Sequence, residues 1–227
     1  MARLVITIDG PAASGKSTAA RLLAEKLNAA FLDTGAMYRA ATLAAMNAQV
    51  DLADEKLLLD VLDNTRFVFE PSNNGMLVKI NDRDVAEKIR DPQVTANARY
   101  IAASPKARER LVAIQRNFAQ THERIVTEGR DQGTVAFPDA DVKFFLSASL
   151  DERAKRRQAE LSAKGVKHTI DVVQRAIQQR DHSDETRSVG PLKPAPDAII
   201  VDTTSLTIEQ VIEILLEYVK QKCSLES

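Results

Sequence analysis

The stretch Leu4-Val5-Ile6-Thr7-Ile8-Asp9-Gly10-Pro11-Ala12-Ala13-Ser14-Gly15-Lys16-Ser17-Thr18 decides the fold. An apolar run, a glycine loop with the spacing Gly, four residues, Gly-Lys-Ser, and an alanine- and leucine-rich segment ending near Leu27 read as strand, loop and helix. Such a loop wraps a polyphosphate with backbone N–H groups, and Gly10 and Gly15 let the chain approach closely. The helix that follows points its positive end at the same phosphates. In this pattern Gly10 through Thr18 hold the phosphates of a nucleoside triphosphate, Lys16 reaches the β- and γ-phosphates, and the Ser17 hydroxyl sits on Mg²⁺. A chance glycine turn before a helix is the bland alternative, and the flanking strand and helix weigh against it.

Outward from the loop, four more short apolar runs follow. They are Ala29-Ala30-Phe31-Leu32, Arg124-Ile125-Val126-Thr127, Val142-Lys143-Phe144-Phe145-Leu146 and Ala198-Ile199-Ile200-Val201-Asp202. Helical patterns separate them, so the expected fold is α/β: a five-stranded parallel sheet with helices on both faces. Arg66 to Glu70 and Met76 to Ile80, around the turn cluster Pro71-Ser72-Asn73-Asn74-Gly75, read instead as an antiparallel hairpin. The expected domains are a core of residues 1–62, 96–149 and 188–227, a small β-rich insert of residues 63–95, and a helical region of residues 150–187. Ser149-x-x-Glu152 forms a capping box that opens a very basic helix stopping at Gly165. In the last helix Ile208, Val211, Ile212, Leu215, Leu216 and Val219 line one apolar face.

In parallel sheets ligands bind outside the carboxyl ends of the strands. There the sequence places Asp33-Thr34-Gly35-Ala36-Met37-Tyr38-Arg39 and Glu128-Gly129-Arg130-Asp131. Thr34 can cap the next helix, Arg39 can clamp a second phosphate bidentately, and Asp33 can hold a water of the Mg²⁺ shell. Val173 and Ile177 mark the buried side of a later helix, and Arg180, Asp184 and Arg187 continue that stripe toward a polar cleft. An exposed salt-bridge ladder is the bland reading of the stripe. Arg153, Lys155, Arg156 and Arg157 crowd one or two turns; a solvated basic face competes with neutralisation of a transferring phosphoryl group, and the P-loop favours the second for Arg153, Arg156 or Arg157.

Composition narrows the field. A net charge of −1 argues against a general nucleic-acid binder. No span approaches the ~20 apolar residues that cross a bilayer, and the chain enters a strand at once, which leaves no room for a signal peptide. The single cysteine, Cys223, cannot form an internal disulfide, which fits a reducing compartment. His122, His168 and His182 lack metal-ligand spacing. The expectation is a cytoplasmic monomer with small-molecule substrates, no nucleic-acid partner and no membrane.

Together, Gly10 to Thr18, Asp33 to Arg39, Glu128-Gly129-Arg130-Asp131-Gln132-Gly133-Thr134-Val135-Ala136-Phe137-Pro138, and Arg180-Asp181-His182-Ser183-Asp184 through Arg187 resemble bacterial cytidylate kinases, within the P-loop nucleoside monophosphate kinases, essentially end to end. The resemblance implies transfer of the γ-phosphate of ATP to CMP or dCMP. It places Thr34, Tyr38, Arg39, Arg108, Arg130, Asp131, Arg180, Asp184 and Arg187 at CMP. Arg39, Arg130 and Arg180 would meet the monophosphate, Asp184 the cytosine edge, and Asp131 with Arg187 the sugar. Arg153 to Arg157 would belong to the lid over ATP. The sequence departs from the family pattern at Arg99, where the family has a serine contacting the base. Three other readings compete. A regulatory GTPase requires an Asn-Lys-x-Asp stretch, which is missing, and a kinase for another small acceptor would lack this insert and arginine set. A scaffold would leave the cleft-facing arginines unexplained.

Overall fold

The computed structural model describes residues 4–72, 75–163 and 165–223. Of the expected hairpin turn, Asn73 and Asn74 lie outside these residues. In chain order the elements are β1 (Leu4–Asp9), α1 (Lys16–Lys26), β2 (Ala30–Asp33), α2 (Thr34–Asn47), α3 (Glu55–Asp63), β3 (Phe67–Ser72), β4 (Gly75–Ile80) and β5 (Arg83–Asp84). There follow α4 (Pro92–Ala103), α5 (Pro105–Gln120), β6 (Arg124–Gly129), β7 (Val142–Ser147), α6 (Leu150–Ala163), α7 (Ile170–Thr186), β8 (Ile199–Asp202) and α8 (Ile208–Cys223). The five apolar runs form one sheet in the order β2-β6-β1-β7-β8, and the pairs β1–β7 and β7–β8 run parallel. Neighbours out of chain order require crossover connections, which the helices supply.

The chain forms two compact units, residues 4–29 with 126–223, and residues 30–125. In the first, Ile6, Ile8, Leu23, Leu146 and Leu215 have no exposed surface. Each such side chain contributes roughly 1.5–3 kcal/mol by leaving water. The α8 face buries Val211, Ile212, Leu215 and Val219 as its spacing requires, with Ile208 and Leu216 half-buried. Tyr218 meets the Phe144 ring edge-on, with centroids 6.4 Å apart. Ala12 of the glycine loop shares a small apolar cluster with Ala154 of α6 and with Val173 and Ile177 of α7. Gly165, just past α6, is left-handed at φ 77°, as expected where a helix stops.

In the second unit β3, β4 and β5 form an antiparallel sheet, with Phe67 opposite Ile80 and Phe69 opposite Val78. Asn81 and Asp82 carry positive φ (47° and 66°), which is why two residues suffice to turn β4 into β5. The apolar face of this sheet is too small to stand alone. Val78, Ile80, Val85, Ile89 and Val94 instead share a core with Ala36, Ala40, Leu43 and Ala44 of α2. Pro105 occupies the first position of α5 and Ser104 caps it.

Two expected caps differ. Asp33, not Thr34, caps α2: its carboxylate accepts from the Ala36 N–H at 2.7 Å, while Thr34 is the first helical residue. A carboxylate also complements the positive end of the helix, which a hydroxyl does not. At α6 the Ser149 hydroxyl accepts from the Glu152 N–H at 3.3 Å, but the Glu152 carboxylate accepts from Arg156 Nε at 2.9 Å instead of closing the box.

Candidate active site

Strand β1 ends in a buried acid and opens directly into the glycine loop. Only glycine fits at position 10, where a Cβ would stand 2.2 Å from the Leu146 carbonyl oxygen. Gly15 caps α1 in the left-handed region at φ 86°. The Ser14 hydroxyl oxygen is buried without a partner, a ready donor for a phosphate oxygen inside the loop. Lys16 is buried and its Nζ donates to the Pro11 carbonyl at 2.9 Å. Burial, and then the charge of Arg130, push its ammonium down to about 7, with Glu128 and Asp184 working the other way. A phosphate would favour the charged form. Ser17 Oγ donates to the Glu128 carboxylate at 3.0 Å.

Three struts hold the loop. The Asp181 carboxylate accepts the Ala12 N–H at 3.0 Å, and Arg153 Nη1 donates to the Ala12 carbonyl at 3.1 Å. Arg153 also pairs with Asp181 and donates from Nε to the Ala148 carbonyl. Thr203, after β8, shares its hydroxyl between the Ser14 and Ser147 carbonyls. Arg156 donates to Thr203 Oγ1 at 3.0 Å and to its carbonyl at 2.6 Å. Its Nη1 would be 3.7 Å from a Cβ at Gly15, so it lies along the loop. The Arg157 side chain is 42% exposed and paired with Glu160 at 2.9 Å.

Next to the loop, Arg130 Nε pairs with Asp184 at 2.6 Å, and Arg187 lies 3.6 Å from Asp131. Desolvation raises the Asp184 carboxyl, but Arg130, Arg180 and Arg187 together hold it below the usual range. The expected stripe on α7 needs one correction. Arg180 is exposed, and Asp181 takes the buried position, because steps of four run from Val173 through Ile177 to residue 181, while residue 180 is turned back by one residue, about 100°. Arg180 still acts electrostatically, depressing Asp184 and opposing charge on Lys16. Arg187 lies at the C-cap, beyond the helix.

The second unit carries the remaining predicted residues. Thr34 is buried, Arg39 pairs with Asp33 at 3.5 Å, and the buried Arg39 Nε has no hydrogen-bond partner. Arg108 is buried with its guanidinium carbon 5.7 Å from the centre of the Tyr38 ring. Arg99 is exposed and lies over the Tyr100 ring at 5.0 Å.

Asp9, Asp181, Glu128 and Thr203 carry roles that the sequence reading did not assign. An acid closing an apolar strand marks Asp9, and an i+4 step from Ile177 marks Asp181. Nothing local marks Thr203, whose contact to Ser14 spans 189 residues. Among the described residues no group of three His, Cys, Asp or Glu is placed to hold a metal by itself, and no helix is long and apolar enough to cross a membrane.

A sheet whose central strand feeds a Gly-x4-Gly-Lys-Ser loop, with an arginine and carboxylate cluster beside it, defines a P-loop kinase. The cytidylate kinase family profile matches residues 6–221. The chain belongs to that family. The cytidylate kinase of a Geobacillus species is 46% identical over 217 residues, covering 96% of each chain. That of Carboxydothermus hydrogenoformans is 46% identical, over 96% of this chain and 97% of its own. That of Rhodococcus jostii is 46% identical over 220 residues, 97% of this chain and 96% of its own.

Proposed function

We propose that this enzyme transfers the γ-phosphate of ATP to CMP or dCMP, giving ADP with CDP or dCDP. The observation that carries the reading is the pairing of Arg130 with Asp184 beside the glycine loop, close enough for Arg130 to shift the titration of Lys16. Family membership supplies the acceptor base.

Phosphoryl transfer asks a protein for alignment and charge neutralisation more than for covalent chemistry. Residues Gly10 to Thr18 cradle the ATP phosphates through backbone N–H groups and the Ser14 hydroxyl. Lys16, with Arg153, Arg156 and Arg157 of the lid, neutralises the transferring group. Arg153 also acts as a strut, since its guanidinium is engaged by Asp181 and by two carbonyls. Arg130 and Arg180 take the acceptor phosphate, Asp184 reads the base edge, and Asp131 with Arg187 holds the sugar. We assign Thr34, Tyr38, Arg39 and Arg108 to CMP as well. The Ser17 hydroxyl beside the Glu128 carboxylate is an oxygen donor set that suits Mg²⁺, with Asp33 acting through water. When bound, the ion would supply positive charge that neutralises the phosphate oxygens. Lid closure over residues 150–187 and movement of the 63–95 insert would exclude water and prevent ATP hydrolysis. The rest of the chain, residues 1–62, 96–149 and 188–227, forms the core. We infer a cytoplasmic monomer, in keeping with small-molecule substrates.

The test is ATP consumption against CMP, dCMP, UMP, AMP and GMP. CMP and dCMP should give the highest kcat/KM. Equal use of AMP or GMP would overturn the assigned acceptor.

A further inference from the structure

The residue that opens the ATP loop also builds the acceptor side. Asp9 is the last residue of β1, and its backbone runs straight into Gly10. Its side chain is buried, with one oxygen accepting the Gln132 N–H at 2.9 Å and the other the Gly133 N–H at 2.8 Å. Those N–H groups follow immediately after Arg130 and Asp131. The turn is held from other sides too. Thr127 Oγ1 donates to Gln132 Oε1 at 2.9 Å, and the Val135 N–H donates to the Asp131 carbonyl at 2.9 Å. A Cβ at Gly133 would stand 3.0 Å from Thr7 Oγ1 and 3.3 Å from Lys143 Cδ, so the turn is seated directly on β1 and β7. Gln132, Asp131 and Asp9 are all nearly inaccessible to solvent.

Arg130 and Asp131 are therefore two residues strung between fixed ends, Gly129 of β6 and the Asp9 clamp. Their side chains make the pairs to Asp184 and Arg187. A tilt of the turn moves both pairs at once. We propose that Asp9 is a positioning residue for the acceptor nucleotide: it fixes the angle at which Arg130 meets the monophosphate and Asp131 the sugar, while its own backbone launches the loop that holds ATP. One residue thus sets donor and acceptor in register, which in-line transfer requires. This rests on the acceptor reading of Arg130 and Asp131 given above. Both carboxylate oxygens are taken by backbone N–H groups, the arrangement of a structural clamp. Burial pushes the carboxyl up to about 7 against the lowering by the Gly133 and Gln132 N–H groups, with Asp131 raising it and Arg130 lowering it further.

The experiment is steady-state kinetics of wild type, Asp9→Asn and Thr127→Val, with CMP and ATP each varied at saturating partner, and with thermal denaturation of each protein. Asn can accept only one of the two N–H groups and sets an NH₂ against the other. Losing that bond should raise the KM for CMP by about tenfold or more, while the KM for ATP stays within about threefold. Thr127→Val, which removes only the side-chain tether on Gln132, should shift the CMP KM in the same direction by less. Should Asp9→Asn fail to fold, the Thr127→Val ratio decides. Equal rises in both KM values, or a loss confined to kcat, would overturn the proposal. Wild-type enzyme that does not use CMP would instead overturn the acceptor reading, so the two failures are distinguishable.

Discussion

Replacing Asp181 with Asn probes how the glycine loop is held. The Arg153–Asp181 pair is buried, each side chain being only 11% exposed, and both partners also bind the Ala12 peptide. Asn keeps an oxygen for the Ala12 N–H, so the substitution removes mainly the charge that compensates Arg153. Leaving one partner of a buried pair uncompensated costs about 3–5 kcal/mol. In a chain of this size each kcal/mol lowers Tm by about 2–4 °C, so the expected drop is about 6–20 °C. Arg153→Met should cost a similar amount, since it strands the Asp181 carboxylate. The double variant Arg153→Met with Asp181→Asn should lose less than the sum, by a coupling of about 0.5–3 kcal/mol. Thermal denaturation of the four proteins without nucleotide reads this directly. Single variants within about 2 °C of wild type, or strictly additive losses, would refute the strut.

Further outcomes follow from the same geometry. Lys16→Met should lower kcat by about 100-fold or more, the scale of losing one preorganised charge at a developing anion; near-normal turnover would remove Lys16 from the chemistry. Arg180→Met should raise the KM for CMP about tenfold with little change for ATP, matching the loss of one charge-assisted hydrogen bond. Equal losses for both nucleotides would mean that Arg180 serves the loop and not the acceptor. Asp184 titrates below its unfolded value, so its contribution to stability is present above about pH 4 and is lost as pH falls through the folded pKa. Asp184→Asn should flatten the fall of Tm between about pH 5 and pH 2; an unchanged slope would place the acid sensitivity elsewhere.

What the sequence disclosed, and what it hid, follows from range. Strand runs such as Leu4–Ile8 and the four-residue spacing between Gly10 and Gly15 are local signals, and they specify the sheet and the phosphate loop together. The hairpin around Val78 is legible because two β-rich runs flank the turn cluster Pro71 to Gly75, but its dependence on the α2 face of Ala36 and Ala40 is not, because that packing is tertiary. On α7 the stripe departs from the spacing only at Arg180, while Asp184 keeps its place facing Arg130. Arg180 drew attention by its charge, while the buried position belongs to Asp181, whose partners lie on two other segments. Asp9 and Thr203 were missed for the same reason, since their bonds reach Gln132 and Ser14 across the fold.

The central claim is that the loop from Gly10 to Thr18 is the donor half of a two-nucleotide site. Incubating the enzyme with γ-labelled ATP, Mg²⁺ and CMP, then separating the products, tests it most directly. The account predicts label in the β-phosphate of CDP, with unlabelled ADP formed in equal amount. Label released as inorganic phosphate, with CMP unchanged, would contradict it.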